Sequence, residues 1–268
     1  MGLTRRRIAV TAGAVALALG AGALAFGTFS LVTSQPSAAP PPAHLAPPAP
    51  TTTTTVAPAA PGVTAPAAST LVATTNGSIP GYAAPDAPAP SMTVPGTWYG
   101  YPSVLPVITT EPGWLYVRLA QRPNGSTIWV RQSDVTLSST PYSMVVDLTT
   151  MHLYVFDSGT QVFDFPAGVG APNDPTPTGH YFMPMQYPSP GPRYGPFVLV
   201  TSDHSDSITD WENSGDAIIG IHGPIDPYDD SLIGTTGAAI SHGCIQLHDA
   251  DLAQLSVIPA GTPIDVIA

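Results

Sequence analysis

A single cysteine, Cys244, among 268 residues constrains the fold of this chain more than any other feature of its sequence. One cysteine cannot form an intramolecular disulfide, so the fold must be held together by its hydrophobic core. Two histidines, His222 and His242, precede it, and a nearby imidazole lowers the pKa of a thiol effectively. Cys244 is therefore a candidate nucleophile, and a small buried hydrophobic residue is the structural alternative.

The charge of the chain argues against one class of partner. The sequence has 7 basic and 18 acidic residues, a formal net charge of −11, and no lysine. Nucleic-acid binding requires a basic surface, so we expect no nucleic-acid partner. The acidity is compatible with a soluble extracytoplasmic domain.

Residues 1–33 have the pattern of a targeting segment. Arg5–Arg7 supplies positive charge, and the 25 residues from Ile8 through Val32 carry none. That stretch exceeds the apolar region of about 7–15 residues in a signal peptide. It also reaches the length of about 20 residues that crosses a bilayer. We expect either a cleaved signal peptide or a membrane anchor through residues 8–32, with the rest of the chain outside the cytoplasm.

Two further regions precede the candidate nucleophile. Proline, alanine and threonine dominate residues 34–94, which predicts a disordered linker. Residues 95–140 predict a small β module, because Trp114–Leu119 and Thr127–Arg131 alternate apolar and polar residues around a turn at Arg122–Gly125. This stretch resembles bacterial SH3-like modules, which implies wall or partner binding. A structural spacer packed on the following domain is the alternative.

Short strands predominate in residues 141–268, which we expect to form a separate domain. One helix is predicted at Asp249–Val257, with Asp249 as its N-cap. A proline-rich stretch at Pro184–Pro196 predicts a flap over a substrate. Together these patterns predict an all-β sandwich with one short helix. The predicted strands are Ser143–Leu148, His152–Phe156, Gln161–Val169, Phe197–Thr201, Ala217–Ile221 and Ile264–Ile267.

Two motifs carry a family resemblance. Ile219–Gly223 reads Ile-Gly-Ile-His-Gly, and Ser241–Leu247 reads Ser-His-Gly-Cys-Ile-Gln-Leu. Together they resemble the signature of the L,D-transpeptidase catalytic domain, found in bacterial enzymes that cross-link peptidoglycan through a cysteine. Pro175–Gly179 also resembles a turn of that family, and the resemblance covers roughly residues 142–268.

The chain departs from this family in two places. Gln246 stands where the family usually has arginine or asparagine. The interval between His222 and Cys244 is also longer than usual, and residues 224–230 read as an inserted loop. The first departure concerns a substrate contact, and the second concerns the rim of the site.

The resemblance implies a cysteine acyltransferase in an L,D-transpeptidase-type β-sandwich. His222 would accept the thiol proton of Cys244, giving a thiolate–imidazolium pair, and the carbonyl of Gly223 would hold the other imidazole nitrogen. Backbone N–H groups around His242, Gly243 and Cys244 would stabilise the oxyanion. No cofactor and no metal are implied.

The resemblance also implies a substrate. A tetrapeptide stem of peptidoglycan would acylate Cys244 with release of D-alanine, and carbapenems would react with the same thiol. Ser241 and Gln246 are the candidate substrate-binding residues. An L,D-carboxypeptidase, an enzyme that anchors wall proteins and a catalytically silent wall-binding protein remain alternatives. A zinc hydrolase is a further rival, with candidate ligands His180, Asp203, His204, His222 and His242.

Overall fold

The computed structural model describes residues 63–268. Strands dominate, and the helices are short. The strands are β1 (Thr70–Thr75), β2 (Ile79–Gly81), β3 (Met92–Val94), β4 (Thr97–Trp98), β5 (Tyr101–Pro102), β6 (Val104–Glu111), β7 (Trp114–Arg118), β8 (Thr127–Arg131), β9 (Val135–Thr140), β10 (Tyr142–Asp147), β11 (His152–Asp157), β12 (Thr160–Pro166), β13 (Val169–Gly170), β14 (Gly179–Met183), β15 (Met185–Pro188), β16 (Phe197–His204), β17 (Ile218–His222), β18 (Ala239–Ser241), β19 (Ile245–Gln246) and β20 (Thr262–Ile267). The α-helices are α1 (Pro227–Leu232) and α2 (Asp249–Gln254), and 3₁₀ turns occupy Gln132–Asp134, Pro192–Tyr194 and Leu255–Val257.

The N-terminal sheet has five antiparallel strands in the order β8-β7-β6-β1-β9. The predicted hairpin between β7 and β8 is confirmed, and Gly125 in its turn has φ +77°. Apolar residues of these strands form a separate core with Phe182, a fully buried residue of β14. Because β14 belongs to the following domain, the N-terminal sheet packs directly on that domain. The SH3-like character of this sheet stays a prediction.

The prediction of a disordered linker over residues 34–94 is wrong for its last part. Strands β1, β2 and β3 lie there, and β1 pairs with both β6 and β9. The proline-rich composition of the whole stretch hid the run Thr70–Thr75, whose β-branched and apolar residues favour a strand. The N-terminal sheet therefore begins before residue 95. Residues 1–62, including the predicted targeting segment and most of the predicted linker, lie outside the described residues.

The second domain is a sandwich of two sheets, as predicted. One sheet has the order β12-β11-β10-β20-β14 and the other β15-β16-β17-β19. Apolar residues from both sheets meet in one core, among them Met144, Val146, Leu199, Ile219 and Ile221. The predicted strands are found with shifted ends, and Gln161–Val169 divides into β12 and β13.

The helices differ from the prediction in two respects. Helix α1 was not predicted, and it begins after Asp226, whose carboxylate accepts the N–H groups of Tyr228 and Asp229 at 2.8 and 3.0 Å. Residues 224–230 were predicted to be an inserted loop, whereas Pro227 stands in the first turn of α1. Helix α2 is confirmed, but its N-cap is His248 rather than Asp249. Among the described residues, no helix has the length and apolar character needed to span a bilayer.

Removal of β1 should destabilise the N-terminal sheet, because β1 joins the edge strand β9 to the rest of that sheet through β6. We expect a protein that begins at Pro95 to melt at a clearly lower temperature than one that begins at Val63, which retains β1. Thermal unfolding followed by near-UV circular dichroism measures the difference. Equal melting temperatures would show that β1 contributes little to stability.

Candidate active site

The structure brings five of the predicted site residues to one cavity. Cys244, His222, His242, Ser241 and Gln246 all line a cavity of about 620 Å³. The cavity lies over β16, β17 and the loop before β19. Part of the predicted flap borders it, because Pro190, Arg193 and Tyr194 also line the cavity; the role of a flap stays a prediction.

Parallel pairing of β17 with β19 places the two motifs side by side. Ile221 lies opposite Ile245, and His222 lies opposite Gln246. The N–H of Leu247 also donates to the carbonyl of His222 at 2.9 Å. The end of β17 therefore lies next to the loop that carries Cys244, although 22 positions separate His222 from Cys244.

The imidazole of His222 is held in one tautomer. Its Nδ1 lies 2.6 Å from the carbonyl oxygen of Gly223, which can only accept, so Nδ1 carries the hydrogen and Nε2 is the basic atom. The ring of Tyr194 packs edge-on against it, with centroids 5.0 Å apart, and the Tyr194 carbonyl accepts the N–H of Gly223 at 3.0 Å. Burial lowers the pKa of His222, although the carbonyl of Gly223 and the charge of Asp229 oppose that shift.

Burial acts on the thiol in the opposite direction. It raises the pKa of Cys244, and the charge of Asp203 adds to that effect, while a backbone hydrogen bond from Gly220 opposes it. The pKa shifts of Cys244 and His222 together favour a neutral thiol and a neutral imidazole in the resting protein. Burial disfavours each of the two charges for the same reason, and the thiolate–imidazolium pair stays a prediction.

The hydroxyl of Ser241 fixes the conformation of the cysteine loop. It donates to the carbonyl of Cys244 at 2.5 Å and accepts the N–H of Gly243 at 3.1 Å. The N–H of Gly243 is therefore already occupied, contrary to the expectation that it stabilises an oxyanion. Ser241 lines the cavity, but its hydrogen bonds are internal to the loop.

A residue that sequence reasoning missed, Thr176, holds the same loop from the other side. Its hydroxyl donates to the carbonyl of Gly243 at 2.7 Å and accepts the N–H of Gly170 at 2.9 Å. Gly243 has φ +114°, and a Cβ there would lie 2.7 Å from Cδ1 of Ile219, so only glycine fits. The signal for Thr176 was present in the motif Pro175–Gly179, to which no side-chain role was assigned.

His242 and Gln246 occupy different depths of the cavity. His242 is exposed, and its ring lies 5.2 Å from the ring of Trp211, a cavity residue that sequence reasoning also missed. Gln246 is buried and exchanges two backbone hydrogen bonds of 2.8 Å with Gly168. Its Oε1 has no hydrogen-bond partner within the described part of the chain.

The candidate zinc ligands do not form one cluster. Among residues 63–268, no group of three or more histidine, cysteine, aspartate or glutamate side chains is arranged to hold a metal ion. His180 is exposed and bonds Asp265 at 2.6 Å on β14 and β20, while His204 lies buried beside Asp216 at 2.8 Å. Only His222 and His242 of this set line the cavity.

Asp203 is an unusual carboxyl close to the site. It is 1% exposed, and one oxygen accepts from the amide of Asn124 at 3.1 Å. The other oxygen, Oδ2, has no hydrogen-bond partner among the described residues. Burial raises the pKa of Asp203 to about 8, although Tyr181 and Asn124 favour its charged form. Asp203 is therefore mostly protonated at neutral pH.

The chain is similar to a known enzyme family over this domain. Residues 141–266 match the family model of YkuD, the L,D-transpeptidase catalytic domain. Proteins named L,D-transpeptidase YkuD from Bacillus licheniformis and Bacillus subtilis are 28% and 27% identical over 127 residues. Those residues are 47% of this chain and 66% of each relative, so the match spans just under two thirds of the relatives' length.

Several solved structures are also similar. An L,D-transpeptidase from Mycobacterium smegmatis is 20% identical, with 61% of this chain and 82% of that chain covered and a TM-score of 0.38. The catalytic domain of an Enterococcus faecium L,D-transpeptidase is 21% identical, with 47% and 95% covered and a TM-score of 0.35. LdtMt1 in complex with imipenem is 18% identical, with 61% and 90% covered and a TM-score of 0.39.

A cysteine and a histidine in one cavity of a β-sandwich define a candidate thiol–imidazole site. The family match confirms the resemblance that Ile219–Gly223 and Ser241–Leu247 predict. Over residues 141–266 this chain is similar to the L,D-transpeptidase catalytic domain.

The raised pKa of Asp203 should make stability depend on pH. Its pKa is about 8 in the folded protein against an ordinary value of 3.8, so the folded state binds more protons between these values. The free energy of unfolding contributed by this group therefore falls as pH rises through that range. We expect Asp203→Asn to remove this fall, so that the variant gains stability over the wild type towards about pH 9.

Urea unfolding at several pH values measures that difference. The control is Asp206→Asn, which neutralises an exposed neighbour and should change the slope much less. If wild type and Asp203→Asn showed the same pH dependence, Asp203 would not hold its proton at neutral pH.

Proposed function

We propose that this protein is an L,D-transpeptidase that forms peptidoglycan cross-links through a thioester on Cys244. The observation that carries the proposal is the cavity shared by Cys244 and His222, within the residues that match the family. The donor is a tetrapeptide stem that ends in D-alanine after a diamino acid such as diaminopimelate. The protein would act outside the cytoplasm, in the space that holds the wall.

The resting state sets the order of the proton transfers. Since burial favours a neutral thiol and a neutral imidazole, the thiol proton passes to Nε2 of His222 as Cys244 Sγ bonds to the donor carbonyl carbon. The Gly223 carbonyl stabilises the imidazolium through its bond to Nδ1. The C–N bond to D-alanine then breaks, and His222 returns the proton to the departing amine.

The second half of the reaction reverses these transfers. An amine of a second stem attacks the thioester carbonyl, and its proton passes to His222. The C–S bond breaks, the new amide forms, and Cys244 regains its proton. Water in place of the amine would give an L,D-carboxypeptidase, and an amine on a protein would give wall anchoring.

The oxyanion needs N–H donors that are not already used. The N–H of Gly243 donates to Ser241, so the N–H groups of Cys244 and His242 are the remaining candidates in this loop. Ser241 and Thr176 would then act by holding the loop so that these groups face the reacting carbonyl. In this arrangement, Gly243 allows the loop to adopt a φ of +114° and does not donate a hydrogen bond to the oxyanion.

Removal of the thiol should abolish turnover. We expect Cys244→Ala to lose essentially all activity on a disaccharide tetrapeptide, and His222→Ala to lose about 10²–10⁴-fold, the usual contribution of an acid–base group. The matched control is His248→Ala, because His248 bonds Asp230 and does not line the cavity. Chromatography with mass spectrometry of the products measures cross-linked dimer and released D-alanine.

The same samples test the thiol directly with a carbapenem. Intact-protein mass spectrometry should show one adduct on the wild type and none on Cys244→Ala, because the chain has one cysteine. Turnover by Cys244→Ala, or an adduct on it, would contradict the cysteine mechanism. A normal adduct without turnover would favour a protein that binds the wall but lacks an acceptor site.

Gln246 should contribute to donor binding through its unpartnered amide oxygen. Replacement by an apolar side chain of similar length, Gln246→Met, should raise KM for the tetrapeptide donor about tenfold with a smaller change in kcat, since one hydrogen bond is lost. The control is Gln254→Met on the exposed face of α2. An unchanged KM in Gln246→Met would remove this residue from the substrate site.

A further inference from the structure

A turn of the N-terminal sheet reaches the wall of the candidate active site. Arg122, between β7 and β8, makes three contacts with the connection from β16 to β17. Its Nε lies 2.7 Å from Oδ1 of Asp216, and its Nη2 donates to the carbonyls of Ser205 at 2.9 Å and Ile208 at 3.1 Å. One planar guanidinium thus joins both ends of this connection.

Asn124, in the same turn, holds the end of β16 with three more hydrogen bonds. Its Nδ2 donates to Oδ1 of Asp203 at 3.1 Å and to the carbonyl of His204 at 2.7 Å. Its Oδ1 accepts the N–H of His204 at 2.9 Å. The amide therefore pairs with the backbone of His204 as a neighbouring strand would.

The connection that these two residues hold forms one side of the cavity. Ser205, Ile208, Trp211 and Glu212 line it, and the ring of Trp211 packs on His242. Residues 205–217 contain no strand or helix. The backbone hydrogen bonds within this connection include one between its two ends, from Ser205 to Ala217 at 2.8 Å, and two near Trp211, from Trp211 to Asp216 at 2.9 Å and from Ser214 to Trp211 at 3.0 Å.

The ion pair is placed where it can order this connection. The side chains of Arg122 and Asp216 are 35% and 26% exposed, so the pair is partly shielded from water. Although burial alone would raise it, the pKa of Asp216 stays below its ordinary value because Arg122 and the N–H of Ala217 bond the carboxylate. Charge-assisted bonds of this kind are stronger than neutral ones.

We propose that Arg122 and Asn124 are positioning residues of the active site, through which the N-terminal sheet fixes the cavity wall that carries Trp211. The sheet therefore shapes this side of the cavity, in addition to any role as a spacer or wall-binding module. The part of this inference that concerns the donor rests on the proposed transpeptidase function. The part that concerns the shape of the cavity does not.

Two variants and one matched control test the inference in the full chain. Arg122→Ala removes three contacts to the connection itself, and Asn124→Ala removes three hydrogen bonds to the end of β16, from which the connection starts. Arg131→Ala removes an arginine of the same sheet whose guanidinium packs over Tyr82 and Trp114, within the N-terminal sheet. The control therefore loosens the sheet without touching the cavity wall.

The first measurement does not depend on the reaction. The rate of Cys244 modification by a bulky maleimide reports on access to the cavity, because the chain has no other cysteine. We expect both test variants to react several-fold faster than wild type and Arg131→Ala to react at the wild-type rate.

The second measurement is kinetic. Displacement of the connection should raise KM for the tetrapeptide donor about tenfold in both test variants. The effect on kcat should be smaller, because the connection would contact the bound donor rather than the reacting atoms. Arg131→Ala should retain the wild-type KM even if its melting temperature falls.

The outcomes separate the two proposals. Unchanged maleimide rates and KM in folded Arg122→Ala and Asn124→Ala would overturn the positioning role, and so would equal effects in Arg131→Ala. If Arg122→Ala does not fold, Asn124→Ala alone decides. Faster modification in the test variants of a protein that proves inactive on peptidoglycan would support the positioning role and contradict the transpeptidase proposal.

Discussion

The parallel pairing of β17 with β19 is the interaction on which the candidate site depends. It sets His222 opposite Gln246 and so places the loop of Cys244 beside the end of β17. The long segment between the two motifs, which includes α1, does not alter the pairing of β17 with β19. The backbone bonds of two short strands therefore bring together an imidazole and a thiol that the sequence separates.

The surroundings of Cys244 and His222 bear on how the proposed reaction would start from neutral groups. Burial disfavours both the thiolate of Cys244 and the imidazolium of His222. A reaction that forms both charges together, with the Gly223 carbonyl already bonded to Nδ1, avoids a lone buried charge. Asp203, protonated at neutral pH, adds no full negative charge near the thiol in that state. In the proposed reaction, the thiol would stay protonated until a donor carbonyl is present.

The sequence predicted those parts of the protein that depend on local pattern. The all-β class, the β7–β8 hairpin and helix α2 follow from alternation and turn residues, and the similarity to the L,D-transpeptidase catalytic domain follows from Ile219–Gly223 and Ser241–Leu247. The strand Thr70–Thr75 was missed because proline-rich neighbours outweighed it, and α1 was missed because residues 224–230 were interpreted as an inserted loop. The contacts of Thr176, Trp211 and Arg122 join distant parts of the chain, and no local pattern reports them.

The position of Phe182 bears on whether the two domains of this protein can be exchanged separately in evolution. Its side chain belongs to a strand of the sandwich, but it is fully buried in the core of the N-terminal sheet. The boundary near residue 140 therefore does not separate two domains with independent hydrophobic cores. Replacing the N-terminal sheet by another domain would expose Phe182 to solvent unless the new domain had an apolar pocket for its side chain. The N-terminal sheet and the sandwich are therefore expected to be inherited together.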